Sequence, residues 1–243
     1  MRLRLIAAAL LMTFGLPACS AKSVPGALPR IGGLFTTLPI MWGEEADLAA
    51  VLRSREQPHW AMAVLREDGE IRPVDALVNA QGASMLGDLG LLVMAQPRPL
   101  SPQENLTLDR WVRGGGRVLL LADPLLTEES RFALGDKRRP QDVALLSPIL
   151  TRWGLELAFD EAQPAGETHV PLLGESAPVN LAGHFALLPD SECALLDDGL
   201  LAECPIGRGR VLAVADAALL ERGNPPDRAN RERALRRLLA RLR

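Results

Sequence analysis

The segment from Leu89 to Pro124 constrains the fold more than any other part of this sequence. It opens with the continuous apolar run Leu89–Ala95, which is typical of a strand covered on both faces. Ser101-Pro102-Gln103-Glu104 then predicts a helix start with a serine N-cap and a capping box. Gly114–Gly116 ends that helix, and Val118–Ala122 is a second buried strand. A strand, a helix and a strand in such close succession predict a parallel βαβ unit with a right-handed crossover.

The rest of the chain adds strands and helices that suit the same fold class. In chain order we predict a strand at Ile31–Leu38, a helix at Glu44–Arg53, a short strand at Ala61–Leu65, an edge strand or loop at Ile71–Val78, a helix at Gln141–Trp153, a strand at Leu155–Phe159, an irregular region at Glu161–Pro189, a strand at Val211–Ala215 and a helix at Asp227–Arg243. The sum is a three-layer α/β domain with a mostly parallel sheet and a C-terminal antiparallel hairpin.

The closing helix separates leucines from arginines. Leu235, Leu238 and Leu239 are predicted to face the core. The arginines are predicted to form a solvated face, with contact to anionic lipid or an acidic partner as the alternative. They are Arg228, Arg231, Arg233, Arg236, Arg237, Arg241 and Arg243.

Two cysteines flank the predicted hairpin. Asp198-Gly199 is a strong signal for a two-residue turn of type I′, which needs a positive φ at both positions. In that register Cys193 faces Cys204, and facing residues of an antiparallel pair lie within disulfide range. Counting from the turn, Cys193 and Cys204 fall at a hydrogen-bonded position of the antiparallel ladder. Such a position accommodates a cross-strand disulfide less well. We predict a disulfide, with two buried thiols as the alternative.

The N-terminus resembles a bacterial secretory signal. A basic start (Met1–Arg4) precedes the uncharged run Leu5–Leu16, which is too short to span a bilayer. Leu16–Cys19 resembles a lipobox, with Pro17 as its departure from the pattern, so Cys19 is predicted to be lipidated and to become the mature N-terminus. Cleavage after Ala21, giving a soluble periplasmic protein, is the alternative. We therefore predict a signal peptide at 1–21, a tether at 22–30 and one domain at 31–243.

Composition excludes some functional classes. Aromatic residues make up 4% of the chain and tyrosine is absent, which argues against stacking platforms for bases or sugars. The net charge of −3 argues against a nucleic-acid partner, which would need a basic field. His169 and His184 have no ligand spacing around the cysteines, so we predict neither a metal nor a cofactor.

The segments Leu91–Glu104 and Leu108–Pro124, together with Gly209–Asp216 and the helix after Asn230, resemble the ABC-type uncharacterised transport-system family, which includes the gliding-motility auxiliary protein of an ABC transporter. The resemblance implies a class I glutamine amidotransferase-like or flavodoxin-like fold without an established catalytic role. It also implies a non-catalytic binding or assembly module, with the permease and ATPase subunits of a transporter as partners and a membrane as its location.

Candidate site residues follow from strand ends. Ligands of open α/β sheets bind beyond the carboxyl ends of the parallel strands. That rule selects a crevice lined by Thr36, Thr37, Trp42, Gln96, Asp123 and Asp216. The alternative for each aspartate is a cap of the following turn, and for the tryptophan simple packing. A divergent amidotransferase-like or hydrolase-like enzyme is the alternative function, although no strand-to-helix elbow carries a serine or cysteine nucleophile.

Overall fold

The computed structural model describes residues 31–41, 59–128, 130–133, 135–222 and 224–243. Cys19, Trp42 and the predicted helix Glu44–Arg53 lie outside these residues, so the predictions made for them stay predictions. Within the described ranges, no helix combines the length and the apolar character that crossing a membrane requires.

Eleven strands and five α-helices are described. The strands are β1 Ile31–Thr36, β2 Glu70–Pro73, β3 Leu91–Ala95, β4 Arg117–Leu121, β5 Leu155–Phe159, β6 Thr168–Leu172, β7 Glu175–Val179, β8 Gly183–Leu187, β9 Ala194–Leu196, β10 Leu201–Ile206 and β11 Gly209–Val214. The helices are α1 Trp60–Leu65, α2 Pro102–Arg113, α3 Ser147–Arg152, α4 Ala218–Glu221 and α5 Arg228–Arg241.

A seven-stranded sheet in the order β2-β1-β3-β4-β11-β10-β9 forms the centre of the fold. Its first five strands are parallel, and β10 runs antiparallel to both of its neighbours. The predicted edge strand is confirmed as β2. Two small antiparallel pairs, β5 with β8 and β6 with β7, lie outside this sheet. The fold class is therefore α/β with a mostly parallel sheet and antiparallel hairpins.

The predicted βαβ unit is confirmed. Strands β3 and β4 pair in parallel, with Val93 opposite Leu119, and helix α2 connects them. Ser101 and Glu104 form the predicted capping box at the start of α2, and Pro102 is its first residue. Every residue of β3 is buried, as is every residue of β4 except Arg117. Both faces of the sheet are thus covered, which stabilises the fold by about 1.5–3 kcal/mol for each large apolar side chain.

Two predictions for short or periodic segments are wrong. The run Ala61–Leu65 belongs to helix α1, because a short apolar run cannot by itself distinguish a strand from a buried helix. The helix predicted for Gln141–Trp153 begins only at Ser147. The preceding backbone is engaged elsewhere: the carbonyl of Asp142 accepts from Leu126 N and the amide of Ala144 donates to Asp123 O, at 2.9 Å each.

The region Glu161–Pro189, predicted to be irregular, contains strands β6, β7 and β8, so that prediction is also wrong. The turn between β6 and β7 consists of Leu173 and Gly174, with φ of 50° and 84°. Leucine rarely adopts a positive φ, so the sequence carries no turn signal here. Strand β8 pairs with the distant β5, a contact that no local pattern announces.

The closing helix is confirmed as α5, and Leu235, Leu238 and Leu239 are buried as predicted. The prediction that the arginines form a solvated face is wrong for Arg231, which is 0% exposed. Most of the remaining arginines pair with acids of the same chain: Arg228 and Arg236 with Glu232, Arg233 with Glu175, Arg236 also with Glu67, Arg241 with Glu203 and Arg243 with Asp68.

The hairpin between β9 and β10 has the predicted register. Leu196 faces Leu201, and Cys193 forms a disulfide with Cys204 across a Cα–Cα distance of 4.1 Å. Asp198 and Gly199 have φ of 55° and 85°, as a type I′ turn requires. The bridge is buried beside the central sheet, so it joins the edge strand β9 to the interior.

Replacing both cysteines with alanine is expected to lower the free energy of unfolding by about 2–3 kcal/mol, because the bridge restricts a short loop in the unfolded chain. Urea denaturation of the oxidised protein and of Cys193→Ala/Cys204→Ala measures the difference. Reduced wild type is the control and should match the double variant. Equal midpoints for oxidised and reduced wild type would contradict the expected stabilisation.

Candidate functional site

The carboxyl ends of four parallel strands define the candidate site. Thr36 ends β1, while Gln96, Ala122 and Ala215 immediately follow β3, β4 and β11. The chain passes from β1 to β2 on one side and reaches β3 on the other, so the order of strands reverses between β1 and β3. Such a switch point leaves a crevice between the loops, where open α/β sheets bind their ligands.

Gln96 follows β3, and its side chain forms hydrogen bonds with the loop that follows β4. It is fully buried with φ of 42°, and its Oε1 accepts from the amide of Asp123 at 2.9 Å. Its Nε2 donates to the carbonyls of Asp123 and Gln141 at 3.1 and 2.8 Å. The hydroxyl of Thr37 donates to the carbonyl of Gln96 and accepts from the amide of Gln141. The polar atoms of Gln96 and Thr37 are thus engaged in holding the loops in place.

Thr36 acts in the same way as these residues. Its hydroxyl donates to the carbonyl of Ala95 at 2.7 Å and accepts from the amide of Leu38 at 2.9 Å. The hydroxyls of Thr36 and Thr37 therefore stabilise the loop that follows β1. Among the described residues, neither hydroxyl contacts a base that could activate it as a nucleophile.

Asp123 and Asp216 both cap the backbone that follows their strands. The carboxylate of Asp123 accepts from Leu125 N at 2.8 Å and from Ala217 N at 3.2 Å. That of Asp216 accepts from Ala218 N at 2.6 Å and from Asn180 N at 3.0 Å. The bond from Ala217 places the two carboxylates at the same edge of the sheet, as the sequence predicts. Both are buried, so this part of the edge does not open to solvent.

Burial shifts the titration of these two groups. It raises the pKa of Asp123 to about 6, although the amides of Leu125 and Ala217 partly offset the effect. The pKa of Asp216 is raised well above its ordinary value, first by burial and then by the nearby charge of Asp123. Two carboxyl groups that face each other inside a protein favour retention of a proton between them.

Glu221 is a third buried carboxyl that sequence reasoning missed. It is 5% exposed, and among the described residues its Oε1 has no hydrogen-bond partner, while Oε2 accepts from Thr127 Oγ1 at 3.3 Å. Asn180 continues this network, donating its Nδ2 to Thr127 Oγ1 at 2.8 Å. Burial and the charge of Asp123 raise the pKa of Glu221 to about 7. We call Asp123, Asp216 and Glu221 the acid cluster.

A cleft opens at the switch point itself. Its volume is about 370 Å³, which is within the range of small-molecule sites. The residues that line it come from the end of β1, the loop after β2, the loop after β3 and the segments 130–133 and 135–140. They are Phe35, Thr36, Thr37, Leu38, Pro39, Val74, Asp75, Arg98, Ser130, Phe132, Lys137, Arg138 and Pro140. We call this the switch-point cleft.

Two guanidinium groups stand over aromatic rings in this cleft. Arg98 lies 5.0 Å from the centre of the Phe35 ring, and both of its Nη atoms donate to Glu104, at 3.0 and 2.7 Å. These contacts hold the pKa of the Glu104 carboxyl low, at about 2, against its burial. Arg138 lies 4.3 Å from the centre of the Phe132 ring. The walls combine apolar surface with fixed positive charge.

The histidines do not complete a catalytic arrangement among the described residues. His59 caps helix α1 through Nδ1, which accepts from Ala61 N at 3.2 Å, and burial lowers its pKa to about 4. His169 contacts Asp227 at 2.8 Å, and with Glu167 these side chains lie close enough to hold a cation. A cation is already there, because Arg231 donates to both Glu167 and Asp227.

The fold and the cleft define a class: an open, mostly parallel α/β domain with a ligand-sized crevice at its switch point. No protein-family model and no curated protein matches this chain.

Solved structures resemble it in fold. An exo-β-1,4-mannosidase (Op5Man5) from Opitutaceae bacterium strain TAV5 matches 88% of this chain and 36% of its own, with 14% identity and a TM-score of 0.52. Gan42B, a GH42 β-galactosidase, matches 88% of this chain and 29% of its own, with 13% identity and a TM-score of 0.51. A catalytic mutant of Gan42B from G. stearothermophilus covers the same shares at 14% identity and a TM-score of 0.50. The chain thus spans about a third of the length of these glycosidases.

Proposed function

We propose that this protein is a non-catalytic binding and assembly module of the bacterial envelope, associated with an ABC-type transport system. One observation carries the non-catalytic part: the described residues that line the switch-point cleft include neither histidine nor cysteine, and their threonine hydroxyls are bonded to the backbone. Nucleophilic catalysis needs a nucleophile in contact with a base, and the lining offers no such pair. The cleft is suited to holding a ligand unchanged.

The envelope location rests on two independent features. A buried disulfide between Cys193 and Cys204 suits an oxidising compartment, whereas cytosolic thiols are kept reduced. The basic start, the short apolar run and the lipobox-like segment ending at Cys19 suit export and lipid attachment. The proposed attachment to a membrane therefore goes through Cys19, with permease and ATPase subunits as partners.

The finer fold assignment is part of this proposal. The strand order β2-β1-β3-β4-β11 follows the flavodoxin-like order 2-1-3-4-5, which supports a class I glutamine amidotransferase-like or flavodoxin-like domain. The resemblance of the βαβ segment to the ABC-associated family points to the same domain type.

A divergent hydrolase is the second candidate. The raised pKa values of the acid cluster favour it, because acid–base catalysts are often buried carboxyls with shifted pKa values. In glycoside hydrolysis, the two catalytic carboxyl groups must flank an accessible sugar ring. Asp123 and Asp216 are buried and bonded to backbone amides, so the binding role has the stronger support.

The lipid anchor is tested by metabolic labelling with a radioactive fatty acid. We expect the wild type to be labelled and recovered with membranes, and Cys19→Ala to be unlabelled, because the thiol at residue 19 is the proposed acceptor. Cys193→Ala/Cys204→Ala serves as the matched control and should keep its label. An unlabelled wild type in the periplasmic fraction, beginning at Lys22, would contradict lipid attachment and support cleavage after Ala21.

A further inference from the structure

The switch-point cleft differs in charge from the chain as a whole. The net charge of the protein is −3, yet the cleft is lined by three basic side chains, Arg98, Lys137 and Arg138, and by a single acid, Asp75. A concave site whose lining carries an excess of one sign attracts oppositely charged solutes, because its walls exclude the water that would screen the field.

The two arginines are held in position by their neighbours. Arg98 donates to the Glu104 carboxylate and to the carbonyls of Asp75 and Pro99. Arg138 donates to the Asp136 carboxylate from Nε at 3.0 Å and from Nη2 at 2.6 Å. These bonds partly neutralise the charges of both guanidinium groups and hold the two side chains in position.

Lys137 differs from these two arginines in its contacts. It is exposed at the cleft, and within the described residues its ammonium group has neither a hydrogen bond nor an ion pair. An ammonium group is a compact charge with three donors, suited to a carboxylate, a sulfonate or a phosphate. Beside it, Phe132, Leu38 and Pro140 supply an apolar wall.

We propose that the switch-point cleft binds a small anionic molecule with an apolar body, whose charged group contacts Lys137. This inference rests on the proposed binding role and narrows it to one chemical class of ligand. The apolar body packs against Phe132 and Leu38, and Arg98 and Arg138 frame the charged end. A bare inorganic anion would leave the apolar wall without a contact, and a neutral ligand would leave the ammonium group unpaired.

The experiment uses a matched pair of fluorescent probes. The first is 1-anilinonaphthalene-8-sulfonate, and the second is N-phenyl-1-naphthylamine, which has the same rings without the sulfonate. Titrating the exported protein with each, we expect the sulfonate to bind more tightly and its Kd to rise with salt. Lys137→Glu should weaken sulfonate binding about tenfold, roughly the effect of 1.4 kcal/mol, and leave the neutral probe within about twofold.

Two variants serve as controls. Lys137→Arg keeps the charge and should keep the affinity for the sulfonate. Arg110→Glu makes the same charge change as Lys137→Glu at an exposed position of α2 outside the cleft lining, and should alter neither affinity.

The outcomes separate the two proposals. Equal binding of both probes, unchanged by Lys137→Glu but weakened by Phe132→Ala, would overturn the anionic class and leave the cleft as a binding site. Binding of neither probe, or binding of both that neither Lys137→Glu nor Phe132→Ala alters, would overturn the anionic ligand and the binding role of the cleft together.

Discussion

Replacing Arg231 with alanine is expected to lower the free energy of unfolding by about 3–5 kcal/mol. The guanidinium group is 0% exposed, and it contacts Asp227 at 2.8 Å and Glu167 at 2.6 Å. It also donates to the carbonyl of Ala218. Among the described residues, its removal leaves Glu167 with only a longer contact of 3.8 Å to Arg222 and Asp227 with only His169, and it leaves a carbonyl of α4 without its donor.

Urea or thermal denaturation of Arg231→Ala measures this loss. Arg233→Ala is the matched control, since Arg233 lies on the same helix with a half-exposed side chain and a longer contact of 3.4 Å to Glu175. It should change stability by no more than about 0.5 kcal/mol. Arg231→Met retains much of the apolar volume, so a similar loss would assign the effect to charge and hydrogen bonding. Equal stability of Arg231→Ala and Arg233→Ala would show that the buried ion pairs contribute little.

Replacing Glu221 with glutamine is expected to stabilise the protein at pH 8 and to leave its stability nearly unchanged at pH 4. The pKa of Glu221 is about 7 in the folded protein, against an ordinary value of 4.5. Between these values the folded state holds a proton that the unfolded chain releases, so the free energy of unfolding falls as pH rises through that window. Above it, the wild type carries a buried charge that glutamine does not.

At pH 8 the free energy of unfolding of Glu221→Gln is expected to exceed that of the wild type by on the order of 2 kcal/mol. Denaturation curves at pH 4, 6 and 8 test it, with Glu156→Gln at an exposed position of β5 as the control. Asp123, whose pKa is raised to about 6, adds a loss of the same sign, and because its charge raises the pKa of Glu221, the comparison measures Glu221 together with its interaction with Asp123. A variant less stable than wild type at pH 8 would mean that the ionised carboxylate makes favourable contacts, and would revive the catalytic reading of the acid cluster.

Local signals in the sequence predicted the elements that depend on neighbouring residues. The capping box of Ser101 and Glu104 and the unbroken apolar runs of β3 and β4 predicted the βαβ unit, because capping and two-sided burial leave local traces. Asp198-Gly199 predicted the hairpin and, through its register, the pairing of Cys193 with Cys204. The hairpin of β6 and β7 was not predicted, because its turn contains Leu173, a residue type that rarely adopts a positive φ.

The sequence predicted a crevice lined by Gln96, Asp123 and Asp216, whereas the described residues that line the switch-point cleft include none of the three. Gln96, Asp123 and Asp216 do lie at one edge of the sheet, since parallel strands end together. Their burial and their bonds to backbone amides depend on loops that approach from elsewhere, such as Asn180 against Asp216. Glu221 ends a short apolar helix and gave no sequence signal, and Lys137 became notable only once the cleft placed it beside Phe132.

The sequence by itself thus determined the α/β class, the central βαβ unit, the cross-strand disulfide and the edge of the sheet at which Gln96, Asp123 and Asp216 lie. Only the tertiary structure decided which charged groups are buried and which are free. Arg231 and Glu167 are 64 positions apart, and no pattern along the chain brings them together. Backbone conformation is set by a residue and its near neighbours, whereas the cost of burying a charge depends on the groups that the whole fold places around it.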